Sequence, residues 1–479
     1  MKKIYIYASA ALLLIAGGCK KELDQKPHNA IPYENTFKTP EDYTYAISGA
    51  YVALRSSVYY GGQDNGGMIS TPDILADNLI LNQSGRKSQS RFFNYKYVAS
   101  NTWDIWGDAY KTILRTNFVL ENLNKLPEDE FRDNIEAEAL AIRALAHFDL
   151  LRVYAKSYTS ATDADPGIPF VTSTDYTLLP SRTPLKQTYN LVLADLVKAE
   201  GLIAADNPVG HFTKPAIEGL LSRIYLYMGD WQKSADAANR TITNVDGKND
   251  LADTTSFADI WLDKTEKDVL LKLKNLDADN DPIGVGYKQG SPNGVIPEYS
   301  VDFAFYNLFQ DEDVRKAAYI DKSNYNETDY YYVYKYNGRE AGDADVVDVK
   351  LIRMGEVYLN LAEAEYNLGK QGDALTALNK LRSNRYTNFD PATANETGTA
   401  LYNAILLQRR LELAFEGSRF FDLKRLNLPV QRSNFGDEAD GAGIPASVKT
   451  VAAKDKLFQL PIPQAEINAN KNISQNTGY

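Results

Sequence analysis

The side chains best suited to acid–base or metal chemistry are few and scattered in this chain of 479 residues. Its only histidines are His28, His147 and His211, and no two of them have the spacing of a metal-binding motif. His147 lies in a stretch of helical periodicity, where a structural histidine is more common than a ligand. The sequence also lacks phosphate-binding loops, dinucleotide fingerprints and nucleophile elbows. The residues therefore predict no metal, no cofactor and no enzymatic activity.

One carboxylate pair, Glu412 and Glu416, has the spacing that places two side chains on one face of a helix. Basic residues surround it in the sequence at Arg409, Arg410, Arg419, Lys424 and Arg425. Ion pairs along the helix explain this pattern more simply than catalysis by paired carboxylates. Arg143, in a largely apolar helical stretch, is likewise interpreted as half of a buried ion pair.

The N-terminus carries the most specific local pattern. Lys2 and Lys3 precede a largely apolar run at residues 4–16, and the only cysteine, Cys19, follows two glycines. This order is that of a secretory signal peptide. Residues 14–19 resemble a bacterial lipobox, in which the cysteine is acylated and becomes the first residue of the mature protein. An ordinary signal peptide with an unrelated cysteine is the alternative.

The composition restricts the possible partners. We expect residues 1–18 to be removed and residues 19–35, which are polar, to form a lipid-anchored tether. The chain without residues 1–18 has 50 basic and 63 acidic residues, a net charge of −13. Such an acidic protein is not expected to bind nucleic acid, which requires basic surfaces. No internal apolar run is long enough to span a membrane.

Apolar residues at helical spacing predict a helical hairpin over residues 351–385. Its first helix is predicted to begin at Leu351, to bury Leu361 and to end at Gly369, since glycine tolerates the left-handed conformation of a helix end. A second stretch with the same offsets, with its turn at Gly229, predicts a similar hairpin. The shared offsets resemble the tetratricopeptide pattern, whose hairpins stack on one another.

The rest of the chain is predicted to be mainly helical, with one irregular insert. Residues 245–345 are rich in Asp, Asn, Gly and Tyr, and the tyrosine run at 330–336 alternates at its end like a strand. Further helices are predicted at residues 40–54, 102–126, 133–154, 183–205, 301–309 and 400–417. The predicted fold is mainly α, with tetratricopeptide-like hairpins in one large domain at residues 36–479, long irregular loops and a few short strands.

Six segments in a fixed order resemble the SusD/RagB family of outer-membrane nutrient-binding lipoproteins of Bacteroidota. They lie at residues 136–158, 167–172, 212–231, 352–369, 409–425 and 460–479. Ala155 departs from the family, which usually has glycine there. The resemblance implies a single α-rich domain of four tetratricopeptide-like helix pairs and a loop-built face that holds ligand.

The same resemblance implies a function. Members bind oligosaccharides, and some bind peptides; they are not enzymes. They cap a SusC-like TonB-dependent outer-membrane transporter, to which they deliver the ligand at the cell surface. A peptide-binding member, a helical-repeat scaffold without a small ligand and a glycoside hydrolase are the alternatives.

Sugar binding needs aromatic faces for the apolar side of a ring and planar polar groups for hydroxyls. Loops expected at the ligand face supply both. The candidate contacts are Tyr59, Tyr60, Gln63, Asn65, Gln83, Arg86, Trp103, Tyr287 and Asn293. Ordinary half-buried packing is the alternative for each tyrosine, because the chain contains 32 of them. Trp261 and the tyrosine run form the second choice of site.

Overall fold

The structure is a computed structural model that describes residues 36–62 and 67–479. The expected signal peptide, Cys19 and the tether lie outside the described residues, as do the candidate contacts Gln63 and Asn65.

Helices form most of the regular structure. The α-helices are α1 (Pro40–Leu54), α2 (Thr71–Leu75), α3 (Ser90–Phe93), α4 (Trp106–Asn122), α5 (Glu130–Tyr154), α6 (Leu185–Leu202), α7 (Lys214–Met228), α8 (Trp231–Asn244), α9 (Phe257–Trp261), α10 (Phe303–Tyr306), α11 (Val314–Tyr319), α12 (Met354–Asn367), α13 (Gln371–Arg382), α14 (Gly398–Glu412), α15 (Arg419–Arg425) and α16 (Gln464–Ala469). Single 3-10 turns lie at Leu123–Lys125, Tyr158–Ser160, Asp277–Asp279, Ile283–Gly286 and Lys456–Phe458.

The strands are short, and each pairs with one other strand in an antiparallel ladder. They are β1 (Leu79–Leu81), β2 (Val269–Leu273), β3 (Lys288–Ser291), β4 (Gly294–Pro297), β5 (Tyr299–Val301), β6 (Ile320–Tyr325), β7 (Thr328–Val333), β8 (Val349–Arg353), β9 (Val430–Gln431) and β10 (Thr450–Val451). The pairs are β1–β5, β2–β8, β3–β4, β6–β7 and β9–β10.

The helices pack in pairs that follow the chain. Helix α1 packs with α4, α5 with α6, α7 with α8, and α12 with α13. Neighbouring pairs touch through α4 and α5, α6 and α7, and α8 and α12. The fold is therefore the mainly helical domain that the repeat pattern predicts, since each helix covers an apolar face of its neighbour.

The ends of the two predicted hairpins follow from local chemistry. Thr213 caps α7 by accepting a hydrogen bond from the backbone N–H of Ala216 at 3.3 Å. Gly229 and Gly369 end α7 and α12 with φ angles of 73° and 79°, as predicted. Leu361 is buried against the core, which confirms the predicted facing of α12.

Several predicted boundaries are wrong. Helix α12 begins at Met354, because Leu351 lies in β8, a strand that pairs with β2. Helix α5 begins at Glu130, where the Asp129 side chain caps it by accepting from Arg132 N at 3.0 Å. The helix predicted at 301–309 is the four-residue α10, which follows β5.

The first part of the tyrosine run forms strand β7, which ends at Val333, whereas Tyr334 and Tyr336, the alternating end of the run, lie beyond the strand. In β7, Tyr330 and Tyr332 point into the protein and Tyr331 is only partly buried, as alternation along a strand requires. Its partner β6 pairs Ser323 with Tyr330. No helix within the described residues is long and apolar enough to cross a membrane.

Candidate ligand-binding face

Loops and hairpins outside the helix pairs meet on one side of the molecule. Strand β5 pairs with β1, and β7 packs against both β4 and β5. We call this surface the loop face; it comprises residues 82–89, 288–297, 303–306, 320–333 and 433–444.

Backbone hydrogen bonds hold the loop face together. The N–H of Gln83 donates to the Asp437 carboxylate at 2.9 Å. The N–H of Ala439 donates to the carbonyl of Asp329 at 2.8 Å. The 433–444 loop therefore connects the loop after β1 with the β6–β7 hairpin.

Three sequence-predicted contacts lie exposed on this face: Gln83, Arg86 and Asn293. The Arg86 Nε lies 3.1 Å from the carboxylate of Glu298, a buried residue, and one terminal nitrogen donates to the carbonyl of Val285 at 2.9 Å. Asn293 occupies the turn between β3 and β4. Arg86 is thus held in place by the face, while Asn293 stands at a hairpin tip.

Two other predicted contacts, Tyr59 and Tyr60, are core residues. Their rings stack on each other with centroids 4.8 Å apart. Both hydroxyls donate to the same Asp149 oxygen at 2.7 Å. Burial and the Asp149 charge raise the pKa of both phenols well above the usual value. Neither ring offers a face to a ligand in this structure.

Tyr287 and Trp103 are also buried. The Tyr287 hydroxyl lies 3.1 Å from the carbonyl oxygens of Ile69 and Phe415, and its ring runs parallel to that of Tyr336 at 6.0 Å. The Trp103 carbonyl accepts from the hydroxyl of Tyr154 at 2.6 Å. These two aromatic residues support the loops from within.

Glycine in these loops reflects close packing. A Cβ at Gly61 would lie 2.6 Å from the carbonyl oxygen of Arg55. A Cβ at Gly67, whose φ is 123°, would lie 2.6 Å from the carbonyl oxygen of Tyr59. Only glycine fits where backbones approach this closely. The glycine-rich loop thereby folds its tyrosines inward.

The accessible aromatic rings of the loop face lie elsewhere. Tyr306 and Tyr331 stack with centroids 3.7 Å apart and planes inclined by 16°, and the Lys316 ammonium lies 4.9 Å from the Tyr306 ring. Phe435 is 42% exposed and meets Phe303 edge-on at 5.0 Å. Of these residues, only Tyr331 belonged to a segment that the sequence marked, the tyrosine run. Tyr306 and Phe435 lie far apart in sequence.

A buried ionic cluster lies between α14 and the strands beneath the loop face. The Glu412 carboxylate binds Arg385 at 2.8 Å, Arg353 at 2.9 Å and Arg315 at 3.2 Å, and all four side chains are buried. Burial alone would raise the pKa of Glu412, but the guanidinium groups of Arg385 and Arg353 hold it well below its ordinary value. Glu412 is an ion-pair residue as predicted, but its partners come from other elements and not from its own helix.

Burial shifts the pKa values of three further groups, because water cannot reach them. Burial raises the pKa of Asp73 to about 7, although the carboxylate accepts from Gly417 N at 2.9 Å. Burial lowers the pKa of Lys335 to about 7, although its ammonium lies 2.7 Å from Glu416. Burial, with Arg143, lowers the pKa of His147 to about 3.

The hydrogen bonds of His147 confirm its structural role. Its Nδ1 lies 2.9 Å from the Arg143 carbonyl, and its Nε2 accepts from Val171 N at 3.1 Å, so the ring is neutral with a proton on Nδ1. Arg143 forms the predicted buried ion pair, with Asp195 at 2.8 Å. Among residues 36–62 and 67–479, no cluster of His, Cys, Asp and Glu could hold a metal ion.

Known proteins resemble this chain over its whole length. The sequence model described as "SusD family" matches residues 228–479, and one described as "Starch-binding associating with outer membrane" matches residues 23–226. SusD-like protein P2 of Formosa agariphila is 27% identical, with 100% of both chains covered. The starch-binding protein SusD of Bacteroides thetaiotaomicron is 31% identical over 148 residues, which are 30% of this chain and 24% of that one.

The fold has the same relatives. A crystal structure of a putative sugar binding protein from Bacteroides vulgatus superposes with a TM-score of 0.80 at 26% identity, covering 92% of this chain and 98% of that chain. The family is one of binding proteins and not of enzymes, and the second model describes starch-binding proteins that associate with the outer membrane. The matched residues, the helix pairs and the loop-built face together place the chain in the SusD family.

Proposed function

We propose that the protein is a cell-surface lipoprotein that binds an oligosaccharide or polysaccharide on its loop face. It then delivers the glycan to a SusC-like TonB-dependent transporter in the outer membrane. The observation that carries the proposal is the pairing, on one face, of accessible aromatic rings with amide and guanidinium donors.

The ring and donor chemistry suits sugars. The Tyr306–Tyr331 stack and Phe435 supply apolar planes of the kind that cover the C–H face of a pyranose ring. Gln83, Arg86 and Asn293 supply planar groups for hydroxyls. The proposal keeps these three predicted contacts, adds the three aromatic residues, and gives the buried candidates a supporting role.

Membrane attachment is proposed from the sequence. Cys19 in its lipobox would carry the lipid, and the polar segment at 19–35 would hold the domain at the surface. Replacement Cys19→Ala should move the protein from the membrane to the soluble fraction. A membrane-bound protein with an unmodified Cys19, detected by mass spectrometry, would contradict the anchor.

The glycan part is tested with the purified full-length protein in detergent. A glycan array first identifies a ligand, and calorimetry then compares Tyr331→Ala and Phe435→Ala with the parent protein. Tyr176→Ala is the matched control, because Tyr176 is a tyrosine that is 94% exposed on another loop. Weaker binding by the first two variants alone supports the loop face.

Two results would overturn the proposal. If both loop-face variants bind the glycan as the parent does, the site lies elsewhere. If no glycan binds but peptides do, the protein belongs with the peptide-binding members, and the array is replaced by a peptide library.

A further inference from the structure

A lysine-lined cavity opens where the C-terminal tail crosses the ends of α5 and α15. Its volume is about 430 Å³, within the range of small-ligand sites. The lining includes four lysines and one carboxylate: Lys156, Lys424, Lys454, Lys456 and Asp455. Hydroxyl and amide groups complete it at Ser157, Ser160, Asn427, Gln459 and Thr477, with Phe458 as its aromatic residue. None of these residues belongs to the loop face.

Two of the four lysines already have structural partners. Lys156 pairs with Asp165 at 2.5 Å. Lys424 is buried and donates to the carbonyl oxygens of Arg152 and Ala155 at 2.6 Å each, so it satisfies the open C-terminal end of α5. The ion pair of Lys156 and the helix-end hydrogen bonds of Lys424 therefore account for part of the positive charge.

The other two lysines are not neutralised in this way. The Lys456 ammonium donates to the carbonyl oxygen of Gly478 at 2.6 Å and lies 4.8 Å from the centroid of the Tyr479 ring. Among the described residues this is its one hydrogen bond, so two N–H donors remain. Lys454 is exposed, and no ion pair between described residues includes it. Its backbone has a φ of 63°, a conformation that lysine rarely adopts. Asp165 pairs with one of the four lysines and Asp455 offsets one more, so the cavity keeps an excess of positive charge in a protein of net charge −11.

Two side-chain hydrogen bonds in series orient a further hydrogen-bond donor, the amide of Asn427. Ser157 Oγ donates to Ser160 Oγ at 2.8 Å, and Ser160 Oγ donates to Asn427 Oδ1 at 2.7 Å. Because Oδ1 is occupied, the Asn427 side chain has its amide N–H groups left to offer. The available groups of the wall are thus mostly donors, which an anion satisfies.

We propose that this cavity binds the anionic group, a sulfate ester or a carboxylate, of an acidic saccharide. The saccharide part of the ligand rests on the proposed glycan function, whereas the anion part rests on the donors and charge described above. A saccharide is favoured over an acidic peptide, because the cavity is pocket-sized, has no exposed strand edge and offers hydroxyl and amide partners to sugar hydroxyls. Away from this cavity the acidic protein would repel such a ligand.

Calorimetry with the purified full-length protein in detergent tests the proposal with four probes. These are a sulfated galactan tetrasaccharide, tetragalacturonate, the desulfated galactan tetrasaccharide as the neutral control, and a tetra-aspartate peptide. We expect at least one of the two anionic saccharides to bind, the neutral control to bind at least tenfold more weakly, and the affinity to fall as salt rises. The two anionic probes distinguish sulfate from carboxylate as the source of charge.

Variants then locate the site. Lys454→Glu and Lys456→Gln should each weaken binding of the anionic saccharide about tenfold, whereas Lys248→Glu, a charge reversal at an exposed loop lysine, should leave it unchanged. Lys454→Asn removes the charge with a residue that accepts the left-handed backbone, and should have the effect of the glutamate variant. Circular dichroism checks that each variant is folded.

The proposal is overturned if the lysine variants bind like the parent, if the neutral tetrasaccharide binds as tightly as the charged ones, or if only the peptide binds. Tyr331→Ala should not affect anion binding at the cavity. A loss of glycan binding in that variant with anion binding intact would show that the two sites are independent. Failure of the cavity proposal can then be distinguished from failure of the loop-face proposal.

Discussion

The helix pairs and the region beneath the loop face are stabilised in different ways. In α12 and α13, buried Leu and Ala side chains recur at helical spacing, and the two helices are neighbours in sequence. Beneath the loop face, Glu412 binds Arg315, Arg353 and Arg385, which lie 97, 59 and 27 residues away. Apolar packing between sequence neighbours dominates the contact between α12 and α13, whereas several buried charges from distant segments converge on Glu412. Single buried ion pairs, such as Arg143–Asp195, also occur within the helix pairs.

The difference has an energetic consequence. Loss of an apolar side chain from a helix pair leaves a cavity, whose cost depends on how far the neighbours relax. Loss of a carboxylate among buried guanidinium groups leaves uncompensated charge, which no small shift of the backbone can hydrate. The ionic region should therefore be the less tolerant of single substitutions.

The largest effect is expected for Glu412→Gln. The change leaves three buried arginines without their shared carboxylate, so the free energy of unfolding should fall by about 3–5 kcal/mol, as for other broken buried ion pairs. Urea unfolding followed by circular dichroism measures it. Glu340→Gln is the control, because its pair with Lys264 is exposed. Equal stability of the two variants would show that the cluster contributes little.

A smaller loss is expected from truncation in a helix pair. Leu378 in α13 is fully buried, and Leu378→Ala should cost about 2–5 kcal/mol. Leu361→Ala should lie near the lower end of that range, since Leu361 also borders an open groove beside α8. The same urea titration applies, with the partly exposed Leu407→Ala as control. A greater loss at Leu361 than at Leu378 would contradict the described facing of α12.

The pH dependence gives a third test, within the helix pairs. The His147 pKa is lowered from 6.5 to about 3 in the folded protein. Its contribution to stability is complete above pH 6.5 and is lost as the pH falls toward 3, by about 1.4 kcal/mol per pH unit. His147→Gln, whose amide can keep both hydrogen bonds, should remove about 2 kcal/mol of the destabilisation between pH 6.5 and 5. The prediction is wrong if the free energy of unfolding depends on pH in the same way in the parent and the variant.

The smallest effect on stability is expected at the surface of the loop face. Phe435→Ala should change the free energy of unfolding by less than about 1 kcal/mol, because the residue is already 42% exposed. It should nevertheless weaken glycan binding by about 2- to 10-fold, the equivalent of one lost stacking contact. Calorimetry and thermal unfolding on the same samples measure both. A large stability loss with unchanged binding would make Phe435 a structural residue.

The sequence predicted the helical part of the fold well, because local spacing encodes it. Gly229, Gly369 and Leu361 all occupy their predicted positions. Leu351 was misplaced, because the pairing of its strand, β8, with β2 depends on residues about 80 positions away, which periodicity does not reveal.

The candidate site was harder to predict. Composition could not distinguish a tyrosine that faces solvent from one that a close backbone approach turns inward, so Tyr59 and Tyr60 were placed on the surface. Gln83, Arg86 and Asn293 stayed exposed because they are polar residues at loop positions. Tyr306 and Phe435 could not be identified, since they come together only through the tertiary structure.

The rigid support beneath the loop face also bears on how such a protein can change during evolution. The fold depends on Glu412 and its arginines, whereas the exposed side chains of the loop face contribute little to stability. Under the proposed function, substitutions there can alter which ligand is recognised while the scaffold remains intact. Selection for a different ligand can therefore act on the exposed side chains alone. Proteins with the same fold can come to bind different nutrients without an intermediate that fails to fold.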